Sequence, residues 1–179
     1  MQTFSYRTAP TSLKLAVTGW LLLAVEGLGA AGLQIYVRTG LTPSGALRHY
    51  LGDETTLRQP MGFMEIVGIT HAHGFSMPLV ALALAFAFIA TNTREWLKSI
   101  VVVALFAGMV LELGLPWLVR YGPAWSVHLF LLAGVLIIGG LFVSVVVPLY
   151  EMWWSPAKPA ITAARPPQPQ EAPRLRRAR

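Results

Sequence analysis

Six ionisable side chains lie within otherwise apolar runs of the sequence, namely Glu26, Glu65, His71, His73, Glu112 and His128. An ionisable group in a bilayer costs several kcal/mol unless it is paired or ligated, so these residues are the first candidates for function. A fourth histidine, His49, lies in a more polar stretch. The chain has no cysteine, which excludes covalent c-type heme attachment and leaves histidine, methionine and carboxylates as metal ligands.

The elements that must position these side chains are four apolar runs. The 179 residues are 55% hydrophobic and 12% charged, with a mean hydropathy of +0.57, whereas a soluble domain carries about 25% charged residues. A helix of about 20 residues crosses the hydrocarbon core, and the runs that reach this length are Leu15–Val37, Gly62–Ala90, Trp96–Val119 and Trp125–Val147. The pattern predicts an all-α, integral membrane four-helix bundle over residues 1–154.

The basic residues predict the orientation of this bundle. Ten of the 14 Lys and Arg residues lie before span one, in the turn Thr91–Lys98, or after span four. The positive-inside rule therefore predicts cytoplasmic termini in a bacterial inner membrane, with the connection Arg38–Met61 in the periplasm. The Pro- and Arg-rich residues 155–179 are predicted to form a disordered cytoplasmic tail that contacts lipid headgroups and binds no nucleic acid.

Several ionisable side chains are predicted to share one depth in the membrane. At about 1.5 Å per residue, His71 and His73 lie about 13 to 16 Å along span two from its periplasmic end. Glu112 lies about 10 Å, and His128 about 5 Å, from the same surface. Because His71 and His73 are two positions apart, they point about 200° apart around a helix and face two separate sites.

The segment His71-Ala72-His73 resembles the His-x-His of the heme-copper oxidase and nitric oxide reductase superfamily, in which one helix gives one histidine to each of two hemes. The chain is too short for the catalytic subunit of that superfamily and lacks its other histidine motifs. Four helices with membrane histidines on two of them resemble small membrane b-type cytochromes. That resemblance implies a heme b held by His71 and His128, with His73 and His49 as further candidates.

We therefore expect a small membrane electron-transfer protein with one b-type heme on the periplasmic side. Its partners would be the lipid bilayer, quinol or a periplasmic cytochrome, and other subunits of a respiratory complex. Glu112 would accept the second N–H of a ligating histidine or act as an alternative ligand. One alternative is a non-heme metal-binding or proton-coupled protein that uses His71, His128 and Glu112. Another is an accessory subunit whose histidines serve packing, bonded to helix carbonyls or to Glu112.

The remaining polar residues have structural interpretations. Glu65 is expected to form an ion pair with Arg120 or Arg58 at the periplasmic interface, and His49 is expected to be a solvated loop residue. Glu26 has no evident partner. Small residues are expected to line helix contacts, and the candidates are Gly27, Ala31, Ala83, Ala87, Gly134, Gly139 and Gly140.

Overall fold

The computed structural model describes residues 4–155, which contain five α-helices and no strand. The elements in chain order are a 3-10 turn Tyr6–Thr8, α1 Thr11–Thr39, α2 Pro43–Leu51, α3 Phe63–Ile89, α4 Glu95–Tyr121, a 3-10 turn Ala124–His128 and α5 Leu129–Trp153. Four helices, with α5 counted together with its preceding turn, are long and apolar enough to cross a membrane. The predicted all-α membrane fold is thus confirmed. The predicted tail, apart from Ser155, lies outside the described residues.

The connection between α1 and α3, expected to be a loop, contains the helix α2. Thr42 caps its start, because the Thr42 hydroxyl accepts a hydrogen bond from the Gly45 amide at 3.0 Å. Pro43 follows the cap at the first helical position, where its fixed φ favours helix and its missing N–H does no harm. The helix ends at Gly52, whose φ is +87°.

The bundle has two ends, which are named here by what they contain. The terminal end holds the start of α1, the α3–α4 connection and the end of α5, whereas the loop end holds α2 and the α4–α5 connection. The main apolar core lies in the terminal half, where Leu21 of α1, Leu84 and Phe88 of α3, and Leu105 of α4 are fully buried. The two ends therefore differ in how tightly the helices are held together.

Helix α1 packs against the core only along its first half. Its residues Val17, Leu21 and Leu28 belong to or contact the core, but every residue from Gly29 to Arg38 is exposed. The expectation that glycines line helix contacts is correct for Gly140, where an added Cβ would lie 2.8 Å from Leu105. It is wrong for three others, since no atom lies within 4 Å of the corresponding position at Gly27, Gly134 and Gly139.

Candidate functional site

His71 and His73 lie in the loop-end half of α3, and both side chains are exposed. The His73 Nδ1 atom lies 2.9 Å from the backbone carbonyl oxygen of Ile69, one helical turn earlier. Because a carbonyl can only accept, Nδ1 must donate this bond, which leaves Nε2 as the ring nitrogen available to another partner. The His71 ring packs edge-to-face on Phe75, with centroids 5.6 Å apart. The two imidazoles of α3 therefore have different surroundings.

Glu112 of α4 is partly buried and interacts electrostatically with His73. It also acts on Tyr50 of α2, whose pKa is raised to about 12, mainly by burial and then by the negative charge of Glu112. The Tyr50 ring stacks on Phe130 of α5, with centroids 5.8 Å apart. The structure thus groups His73, Glu112 and Tyr50 from three different helices, although no hydrogen bond joins these three side chains within residues 4–155.

His49 is not the solvated loop residue that the sequence suggested, because it lies in α2 with only 6% of its surface exposed. The residues around it explain why: Ala46 of the same helix packs on Val119 and Val127 and so holds α2 against the bundle. The Arg58 guanidinium contacts His49 Nδ1. Since arginine can only donate, Nδ1 accepts this bond and Nε2 carries the proton.

The charge state of His49 follows from the same surroundings. Burial, followed by the positive charges of Arg58 and Arg38, lowers the pKa of His49. The ring is therefore neutral near pH 7, with one nitrogen occupied by Arg58 and the other protonated. This arrangement presents no lone pair to a metal ion, which makes His49 the least suitable ligand among the four histidines.

The interfacial ion pair expected for Glu65 is not formed within the described part of the chain. Arg120 instead donates from Nε to the Met61 carbonyl oxygen at 3.0 Å, and Arg58 is directed at His49. Glu65 is exposed at the first turn of α3. The Met61 carbonyl and the His49 imidazole therefore accept the hydrogen bonds of the two arginines. Residue type and approximate depth in the sequence could not identify these acceptors.

His128 is exposed and ends the 3-10 turn that leads directly into α5. It was expected about 5 Å inside a regular helix. It instead occupies the N-cap position of α5 and makes no capping hydrogen bond with its side chain. Across residues 4–155, no three His, Cys, Asp or Glu side chains converge on a point that could hold a metal ion. The three-ligand site of the metal-binding alternative, formed by His71, His128 and Glu112, is therefore not assembled.

A hydrogen bond within the membrane region positions α3 against α4. Trp117 donates from Nε1 to the Thr70 hydroxyl at 2.8 Å, and its ring contacts Phe63 edge-to-face at 5.5 Å. Thr70 directly precedes His71, so this bond fixes the turn that carries the histidines. The sequence placed Trp117 in an interfacial belt and gave no indication of this pairing.

The most extensive polar cluster lies at the terminal end and was missed in the sequence. Glu151, near the end of α5, is 5% exposed. Its carboxylate accepts hydrogen bonds from the Asn92 amide N–H at 2.8 Å, from the Asn92 side chain and from the Ser5 hydroxyl at 3.3 Å. Burial, and then the charge of Glu151, raise the pKa of the neighbouring Tyr6. These bonds join the N-terminal segment, the α3–α4 connection and α5.

These features define the class of protein: a helical protein with several membrane spans, whose histidines lie towards the loop end. Residues 40–159 match the model of the Aq_1264_TM family, described as a transmembrane helical domain. The match covers more than half of the chain, and the protein belongs to this family. Searches of curated proteins and of solved structures found no match.

Proposed function

We propose that this protein transfers electrons in a bacterial inner membrane and binds a b-type heme beside α3. The observation that carries the proposal is the bond from His73 Nδ1 to the Ile69 carbonyl oxygen at 2.9 Å. Histidines that ligate a metal almost always donate their second ring N–H to a carbonyl or a carboxylate, which fixes the tautomer and the ring orientation. His73 therefore already has the geometry of an Nε2 ligand.

The residues of α3 fit a heme group in two further respects. An added Cβ at Gly74, the residue after His73, would have no neighbouring atom within 4 Å, so the structure leaves space beside α3 at this level. His71 or His73, together with His128, would hold the heme iron. A bound heme would supply one-electron redox chemistry through its iron. The predicted depths favour His71 as the α3 ligand, whereas the fixed tautomer leads us to propose His73.

Glu112 supports an exchange of electrons with quinol, because quinol oxidation releases protons. Its partly buried carboxylate lies within electrostatic range of His73 and can accept a proton there. The proposed orientation, with both termini cytoplasmic, places this half of the bundle at the periplasmic side. A periplasmic cytochrome or a quinol in that leaflet would then be the redox partner.

The visible spectrum of the purified full-length protein tests the proposal. The dithionite-reduced protein should show the sharp α band and the Soret band of a b-type heme. His73→Ala and His128→Ala should each abolish the low-spin spectrum, and the double variant should show no further loss, because the two groups hold one centre. His49→Gln is the matched control and should keep the spectrum, since neither nitrogen of His49 is available.

Two results would change the proposal in different ways. If His71→Ala removes the spectrum and His73→Ala leaves it intact, the heme is retained and the α3 ligand is His71. If the wild-type protein purified from cells supplied with heme has no Soret band, the electron-transfer function is refuted. The bond to Ile69 would then serve only to satisfy a polar side chain within the helix.

A further inference from the structure

A cavity of about 310 Å³ lies at the loop end, between the last turn of α1, the start of α2 and the turn that follows α2. Three arginines line it, Arg38, Arg48 and Arg58. Asp53 is the sole carboxylate among the lining residues. No part of the proposed heme site contributes to this cavity, so its role is a separate question.

The positive charges in this cavity are only partly balanced. Asp53 lies 3.8 Å from Arg48 and accepts hydrogen bonds from the Thr55 amide and hydroxyl at 2.9 and 2.7 Å. The bond from the Thr55 side chain is the main reason that the pKa of Asp53 is lowered, so this carboxylate is charged at neutral pH. Within residues 4–155, Arg38 and Arg58 form no ion pair. The Arg58 guanidinium instead contacts His49, which is neutral. The three lining arginines and one lining carboxylate therefore leave an excess of two positive charges around the cavity.

The backbone around the cavity is tightly constrained. Gly40 has a φ of +62°, which other residues rarely adopt, and it joins α1 to the segment before α2. A Cβ at Gly45 would lie 1.8 Å from the Thr39 carbonyl oxygen, so this wall cannot carry a side chain. The hydroxyl-bearing residues Thr42 and Thr56 also line the cavity. The backbone of this wall is therefore fixed, and the exposed side chains of Arg38, Arg48 and Arg58 surround it.

The chemistry and the position of the cavity indicate the same type of ligand. The planar fork of a guanidinium matches the oxygen atoms of a phosphate and binds them with two parallel hydrogen bonds. The cavity lies where the apolar spans end, after Thr39 of α1 and before Phe63 of α3. Phospholipid phosphates lie at this level, just outside the hydrocarbon core.

We propose that this cavity binds a phosphate group, supplied either by the headgroup of a phospholipid in the surrounding leaflet or by free phosphate in solution. The proposal does not depend on the heme. Binding should weaken as the salt concentration rises, because the attraction is between charges near the surface.

The test uses the full-length protein, purified in a neutral detergent and freed of lipid. Short-chain phosphatidylglycerol and inorganic phosphate are titrated separately, and binding is followed by native mass spectrometry for the lipid and by calorimetry for phosphate. The double variant Arg38→Gln/Arg58→Gln should bind the active ligand about 100-fold more weakly, since each lost charged hydrogen bond corresponds to about tenfold. Arg94→Gln, which removes one positive charge at the terminal end, is the control and should bind as the wild type does.

Asp53→Asn supplies a second variant, which decides the question if the double variant does not fold. It removes the sole negative charge among the lining residues, keeps an oxygen for the Thr55 bonds, and should strengthen binding several-fold. If phosphatidylglycerol shows this pattern and inorganic phosphate does not, the ligand is a lipid headgroup; the reverse result identifies free phosphate. Equal affinities in the wild type, the double variant and Asp53→Asn would overturn the proposal, as would the absence of binding by both ligands.

Discussion

The contact between α4 and α5 at Gly108 permits a quantitative prediction. A Cβ at Gly108 would lie 2.8 Å from Ile137 Cγ1 and 3.1 Å from both the Ile137 amide nitrogen and Leu136 Cβ. The amide nitrogen and the Cβ cannot move without the helix, so Gly108→Ala forces α4 and α5 apart. Gly114 lies on the same helix, and no atom lies within 4 Å of its corresponding position. Gly114→Ala is therefore a matched control.

The difference between these two variants isolates the cost of the contact. Both substitutions gain about 1 kcal/mol of helix propensity, so this contribution cancels when the two are compared. Overpacking a tight interface costs about 1–3 kcal/mol. We therefore expect Gly108→Ala to be less stable than Gly114→Ala by about 1–3 kcal/mol.

Reversible unfolding in mixed micelles, followed by circular dichroism, measures this difference directly. Gly140→Ala should fall between the two variants, because the nearest atoms are the Cγ and Cδ2 atoms of Leu105, at 2.8 Å, and a flexible side chain can move aside. Equal free energies of unfolding for Gly108→Ala and Gly114→Ala would refute the close helix approach.

Three further predictions concern charge and orientation. Burial and two arginines lower the pKa of His49, so the folded protein binds a proton there less readily than the unfolded chain does. The free energy of unfolding should therefore be highest above about pH 6.5 and fall as the pH is lowered. His49→Gln should flatten the unfolding free energy between about pH 7 and pH 5, and an unchanged slope would contradict this. Glu151→Gln should cost about 1.5–3 kcal/mol through lost charge-assisted hydrogen bonds, whereas Glu95→Gln, at an exposed surface ion pair, should cost less than about 1 kcal/mol in the same unfolding assay. A phosphatase reporter should be active when inserted at Gly52 and inactive after Arg179; the opposite result would reverse the proposed orientation.

The four spans were predictable because apolar length is a one-dimensional property of the sequence. Helix α2 was not recognised, since its nine residues fall well short of a span and include Arg48 and His49. Its start was nevertheless visible in Thr42-Pro43, a capping residue followed by a proline suited to the first helical position.

The sequence predicted only those parts of the candidate site that follow from the depth of each residue along its membrane span. The depths of His73 and Glu112 placed them together, and the structure does bring them within electrostatic range. Tyr50 joins them only because α2 folds back onto the bundle. The hydrophobic pattern of the sequence does not indicate where α2 packs. The bonds of Glu151 reach Ser5 and Asn92, 146 and 59 positions away. Such partners follow from the way the helices assemble and have no local signal.

The separation of the second half of α1 from the bundle has a consequence for biogenesis. Helix α1 precedes α3, α4 and α5 in the chain, so it must reside in lipid before they have been synthesised. No hydrophobic effect draws helices together within lipid, so association there depends on close packing and hydrogen bonds. Because the residues from Gly29 to Val37 are exposed even in the finished fold, the surroundings of this part of α1 change little on assembly. Late maturation is then confined to the first half of α1, where Leu21 must find the core that the later helices supply.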